Sequence, residues 1–138
     1  MTASLHAVPD APASRASELR IDIPGDPAHV RVARLVAADA AGRAGFDCDA
    51  ADDLRIAVDE MCHTVINSAT GDLTVRFDIR DGQVDVLVSA PRRGSIRPFA
   101  VNELSELILT AVTDDFELVE SPSELRILVS KRATGSGR

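Results

Sequence analysis

Three polar residues of this chain, Glu60, Thr64 and Asn67, recur at i, i+4 and i+7 of one helical run. A carboxylate, a hydroxyl and a carboxamide therefore line one flank of the helix, which is how a fold presents polar groups to a ligand, although a solvated helix face carries the same kind of stripe. His63 lies beside them, but no second metal ligand stands at a usable spacing, so no metal centre is expected. The two cysteines, Cys48 and Cys62, have no metal-like spacing either. Cys62 reads as a small buried hydrophobe and Cys48 as an exposed thiol. Arg92, Arg93 and Arg97 form the one concentrated basic patch, which suits an anionic ligand or an acidic partner and equally an ordinary soluble loop.

The helix that carries the polar flank spans Asp52 to Ala69. Leu54, Ala57, Val58, Met61, Cys62, Val65 and Ala69 recur along it at three- and four-residue steps, an apolar stripe facing a core. Its cap is expected at Asp49 or Asp52. Ahead of it, residues 1–17 read as a flexible leader with prolines at 9 and 12, and Glu18 to Ile23 alternates as a strand. Asp26 and Pro27 start a helix that Gly42 and Gly45 end. Val32, Leu35, Val36 and Ala40 are expected on its core side, with Arg31, Arg34 and Ala38 outward.

Beyond the polar-flanked helix, Leu73 to Ile79 and Val84 to Val88 alternate about Asp81-Gly82, a hairpin signal. A third helix is expected from Phe99 to about Thr113, with Val101, Leu104, Ile108, Ala111 and Val112 inward. Phe116 to Glu120 and Leu125 to Ser130 close the chain as a hairpin, and residues 133–138 read as a disordered tail. This order predicts an α+β fold over residues 18–132. It is a two-layer α/β sandwich with a mixed, mostly antiparallel sheet of about five strands and three helices on one face.

At 138 residues the chain is one domain, and its 45% apolar and 27% charged residues are an ordinary globular composition. A net charge of −7 argues against direct binding to nucleic acid or to anionic membranes, both polyanions that need a basic surface. No apolar run approaches the roughly 18 residues of a membrane span, and the N-terminus lacks the pattern of a signal peptide, so a cytoplasmic protein is expected.

The run V-D-E-M-C-H-T-V-I-N-S-A resembles the N box of the GHKL ATPase superfamily, in the version carried by the anti-sigma-factor serine kinases. The resemblance extends over roughly residues 18–132. It implies the histidine-kinase-like ATPase fold, with Glu60 at the position of the general base. Thr64 stands where the family has the asparagine that binds the magnesium of ATP. A hydroxyl can ligate magnesium, and Asn67 lies one turn further along the flank. Two other family motifs are missing. The D-x-G-x-G box that holds adenine corresponds to V-S-A-P-R-R-G at 88–94, and the phosphate-cradling G-x-G-L falls near Glu103, Leu104 and Ser105, with no glycine between Gly94 and Gly135.

A remnant site is therefore implied at Glu60, Thr64 and Asn67. No cofactor is expected, and ATP with Mg²⁺ only if that site still works. By the same resemblance the partners are a sigma factor and an anti-anti-sigma antagonist, with a homodimer as the assembly. The sigma factor would meet the exposed side of the first helix near His29, Arg31 and Arg34, with Arg92 and Arg93 as the next candidates. Two functions are thus implied: an anti-sigma factor whose nucleotide motifs are degraded, or an active serine/threonine kinase of an anti-anti-sigma factor.

Overall fold

The computed structural model describes residues 16–92 and 102–133. The strands are β1 (Ser17–Ile23), β2 (Leu73–Arg80), β3 (Gln83–Pro91), β4 (Asp115–Glu120) and β5 (Glu124–Arg132), and the helices are α1 (Val30–Arg43), α2 (Cys48–Ser68) and α3 (Glu103–Val112). The sheet runs β1-β2-β3-β5-β4. All four pairings among the described residues are antiparallel, in keeping with the expected mostly antiparallel sheet of about five strands. The expected leader and tail fall largely on residues 1–15 and 134–138, outside the described residues, as do Phe99 to Val101.

Alternation builds the sheet. Leu73, Val75, Phe77 and Ile79 of β2 face Val88, Val86 and Val84 of β3 in register, and all are buried beneath the helices. Ile127, Leu125 and Val129 of β5 continue this layer. The hairpin turns at Asp81-Gly82, where Gly82 takes φ of +79°, a conformation that glycine adopts without steric cost. Another glycine is required by contact: a Cβ on Gly25 would lie 2.3 Å from the Gly71 carbonyl oxygen, so the loop after β1 crosses the loop before β2 only without a side chain.

Helix α1 buries a different face from the one expected. Asp26 does cap a turn with Pro27 in first position, but that turn is a 3₁₀ segment (Pro27–His29), and α1 begins at Val30. Its inward line is Val30, Ala33, Ala37, Ala40 and Ala41, whereas Val32 and Leu35, expected inside, are 40% and 67% exposed. Small side chains let α1 lie close against α2, and that close approach outweighs the burial of two larger side chains. The helix closes through Phe46 N–H to Ala41 O and Gly45 N–H to Gly42 O, at 2.9 and 3.1 Å, with Gly45 left-handed at φ +80°. This paired closure is a Schellman motif, and Gly42 sits inside the last turn of the helix rather than beyond it.

Helix α2 is capped by Asp47, whose carboxylate accepts from Ala50 N at 2.8 Å, rather than by Asp49 or Asp52. The apolar stripe is as expected over Leu54, Ala57, Val58, Met61, Cys62 and Val65, each fully buried. In α3 the inward line is Ser105 and Leu109, while Leu104 is 66% exposed and Ala111 is also exposed, which corrects the expected phase. Asn102 caps α3 through Ser105 N at 2.8 Å, and this start sets which residues turn toward α2. Helix α2 is the middle helix, packing on both α1 and α3 and lying over β3 and β5. No helix among the described residues is long and apolar enough to cross a membrane.

Candidate functional site

The polar flank of α2 meets the first turn of α3. Ser105, only 4% exposed, donates its hydroxyl hydrogen bond to the Glu60 carboxylate. Asn102 holds the backbone of the same turn through its cap, so the hydroxyl is delivered by a fixed helix start. Glu60 is half-buried, Asn67 is exposed, and Thr64 is 8% exposed. Thr64 therefore does not share an open face with the other two. A concavity of about 120 Å³ joins Glu60, Thr64 and Asn67 to His63, Asn102 and Ser105. His63 Nδ1 lies 2.9 Å from the Asp59 carbonyl and 3.6 Å from the Asp59 carboxylate, so its ring is held along its own helix.

On the other side of α2 the Arg34 guanidinium is ion-paired with Asp59. The sequence placed Arg34 on a free outer face; it instead ties α1 to α2 at the mouth of a shallow depression of about 300 Å³ lined by Arg34, Arg55, Ile56, Asp59 and Glu60. Arg31 and His29 are exposed, and Arg31 has no ion-pair partner among the described residues. Beside Arg31 on the outer face of α1 stand Val32 and Leu35.

Arg92 is not an open loop residue: its side chain is 9% exposed and ion-paired with Glu120, and its backbone N–H meets Ser123 O at 2.9 Å. Arg93 and Arg97 lie outside the described residues. Cys48 is exposed and Cys62 buried, as expected. Burial, reinforced by the nearby Asp59 carboxylate, pushes the Cys62 thiol up to about 12, so it is inert at neutral pH.

The structure thus brings Glu60, Thr64 and Asn67 together with Ser105, which the sequence placed at the position of the missing phosphate motif, and adds Asn102, which the sequence did not assign to the site. The spacing Asn102-x-x-Ser105 is a helix-start pattern that marks the cap. The partner at Glu60, 45 residues earlier in the chain, has no local signal.

A three-helix layer on a five-stranded antiparallel sheet, with a carboxylate of the middle helix facing the start of α3, defines a domain of the ATPase kind found in histidine kinases. Residues 23–117 match the family model described as histidine kinase-like ATPase domain, and the chain belongs to that family. It is 27% identical over 138 residues to the serine-protein kinase RsbW of Bacillus velezensis, covering 85% of this chain and 86% of the relative. It is 30% identical over 104 residues to RsbW of Listeria innocua, covering 66% of each. The solved structure of the RsbU and RsbW domains of a Mycobacterium tuberculosis protein superposes with a TM-score of 0.67 at 15% identity. That match covers 84% of this chain and 32% of the other, a likeness of fold.

Proposed function

We propose that this domain is an anti-sigma factor of the RsbW kind that binds its sigma factor through the outer face of α1, and that it does so without nucleotide chemistry. The observation that carries the second half is the Ser105 hydroxyl on Glu60. The turn that would have to cradle phosphates instead presents a side chain that occupies the base. Glu103 and Glu106 add two carboxylates to that first turn. Like charge there repels a polyphosphate, and the helix start supplies no glycine to let backbone N–H groups approach one. The residues present therefore do not fit ATP with Mg²⁺, and Glu60, Thr64 and Asn67 are remnants of a site.

On the partner side, Arg31 offers charge-assisted hydrogen bonds to carboxylates, and Val32 and Leu35 offer apolar area beside it. Arg34 is committed to Asp59 and supports the surface from behind. His29, also exposed, belongs to the rim of the same surface. Exposed arginines and aliphatics on a helix also serve simply as a solvated face, so the test is direct. With the sigma factor recovered by pull-down and then purified, Arg31→Ala/Leu35→Ala is expected to weaken binding by about thirtyfold, about 2 kcal/mol, with an unchanged melting curve. Binding within about twofold of wild type would place the contact elsewhere.

The second reading, an active serine/threonine kinase of an anti-anti-sigma factor, is favoured by the likeness to RsbW relatives that are serine-protein kinases and by the retention of Glu60. Phosphotransfer from ATP to an anti-anti-sigma factor would establish it. We place the protein in the bacterial cytoplasm as a homodimer, since an open sheet edge favours a self-complementary contact. Sedimentation is expected to give a dimer well above micromolar concentration, and a monomer alone would refute that assembly.

A further inference from the structure

The face of the sheet turned away from the helices carries a trough of about 570 Å³. Two rungs of side chains cross it in register, Leu87 to Leu128 to Glu117, and Asp85 to Ser130 to Asp115. The apolar pair Leu87 and Leu128, both half-buried, makes the centre of the floor. One bank, on β2, carries Asp78 and Arg76, and the other, on β4, carries Asp115 and Glu117. Four carboxylates line the trough against one guanidinium.

Not all of that charge is free. Asp85 accepts from Arg80 at 2.6 Å, from Ser130 Oγ at 2.7 Å and from Gln83 at 3.0 Å. Burial works to raise its carboxyl, and these hydrogen bonds outweigh it, holding Asp85 below the usual carboxylate range. Asp78 has Arg76 at 3.7 Å and Asp115 has Arg132 at 3.9 Å, both loose and exposed pairs. Glu117 is exposed and has no ion-pair partner among the described residues.

We propose that this trough docks an amphipathic helix of a partner protein, one whose apolar ridge is flanked on both sides by lysine or arginine. Four strands at about 4.8 Å spacing give a floor about 14 Å across, and a helix with its side chains is about 10–12 Å wide. A helix lying along the trough sets its apolar ridge on Leu87 and Leu128, and its flanking cations reach Asp78 on one bank and Asp115 and Glu117 on the other. A second copy of the same face fits less well, because it brings acidic banks against acidic banks.

The probe is a fluorescein-labelled helical peptide of leucine at i, i+3, i+4 and i+7 with lysine elsewhere, followed by anisotropy against the full chain, with the glutamate-for-lysine peptide alongside. Three variants with wild-type melting curves are compared: Leu87→Thr/Leu128→Thr, Asp115→Asn/Glu117→Gln, and Asp39→Asn/Asp52→Asn, which removes two carboxylates from the helical face. Saturable binding of the lysine peptide alone is expected, weakened about tenfold or more by either trough variant and within about twofold for the third. Each trough variant is a test by itself, so loss of folding in one leaves the other decisive. The proposal is overturned by equal weakening in all three, which means diffuse attraction to an acidic protein, or by the absence of saturable binding. It is also overturned if the leucine variant changes the sedimentation of the protein on its own, which gives the face to a second copy.

Discussion

Val65→Asp is expected to leave no cooperative unfolding transition at all. Val65 is fully buried on the inner stripe of α2, in the same core cluster as Met61, Cys62 and Phe77. An unpaired carboxylate there costs several kcal/mol, against a total stability of about 5–15 kcal/mol for a domain of this kind. Val65→Ala, which removes volume and adds no charge, should cost about 2 kcal/mol and keep the fold. The cysteines report the difference directly. In the native protein a thiol reagent at neutral pH should label exposed Cys48 and leave buried Cys62 unreacted, and in Val65→Asp both should react. A soluble Val65→Asp protein with Cys62 still protected and a sharp melting curve would mean that the faces of α2 are assigned backwards.

The next largest effect is expected at Asp53, through a lysine in the core layer. Lys131 of β5 stands opposite Val84 in the helix-facing row of the sheet, and its ammonium meets the Asp53 carboxylate at 3.1 Å. Its side chain is 11% exposed, whereas that of Asp53 is 36% exposed. Removing one partner of a buried pair costs about 3–5 kcal/mol, because the other charge is left desolvated and alone. Water reaching the Asp53 side softens this, so Asp53→Ala is expected to lose about 2–3 kcal/mol in urea unfolding. The double variant Asp53→Ala/Lys131→Met, which removes the stranded charge as well, should recover most of it. A loss under about 0.5 kcal/mol for Asp53→Ala would mean that the Lys131 ammonium reaches water by bending along its own stem.

Elements that bury one face by a clean local rule were legible in the sequence. The strands β2 and β3 alternate strictly around Asp81-Gly82, and α2 carries an unbroken apolar stripe, so both were located with their inner faces correct. Helix α1 defeated the same reasoning because V-R-V-A-R-L-V-A-A-D-A-A offers an apolar line in more than one phase. Which line is buried depends on how near α2 comes, and the alanines allow the nearer approach. The cap of α2 was expected at Asp49 or Asp52 and lies at Asp47, because all three are competent N-cap residues and only the observed start of the helix separates them. In α3 the phase was misread because it is set by Asn102 and by the docking of Ser105 on Glu60, a contact 45 residues apart in the chain.

The candidate site was partly legible for the same reason. Glu60, Thr64 and Asn67 share a helix, so their spacing exposed them as a group. Arg34 and Asp59, Lys131 and Asp53, and Ser105 and Glu60 are joined only by the tertiary fold. Reading α1 as an independent helix therefore left Arg34 free when it is in fact spoken for. It also hid the outer apolar pair, Val32 and Leu35, on which the proposed partner surface now rests.

The central proposal, that the domain holds a sigma factor without nucleotide chemistry, is tested most directly by calorimetric titration of that sigma factor into the protein with millimolar Mg-ATP and with none. The account predicts the same affinity within about twofold in the two titrations, and no saturable heat when Mg-ATP is titrated into the protein alone. Sigma-factor binding that appears or tightens about tenfold or more only with Mg-ATP, together with micromolar binding of the nucleotide itself, would contradict it.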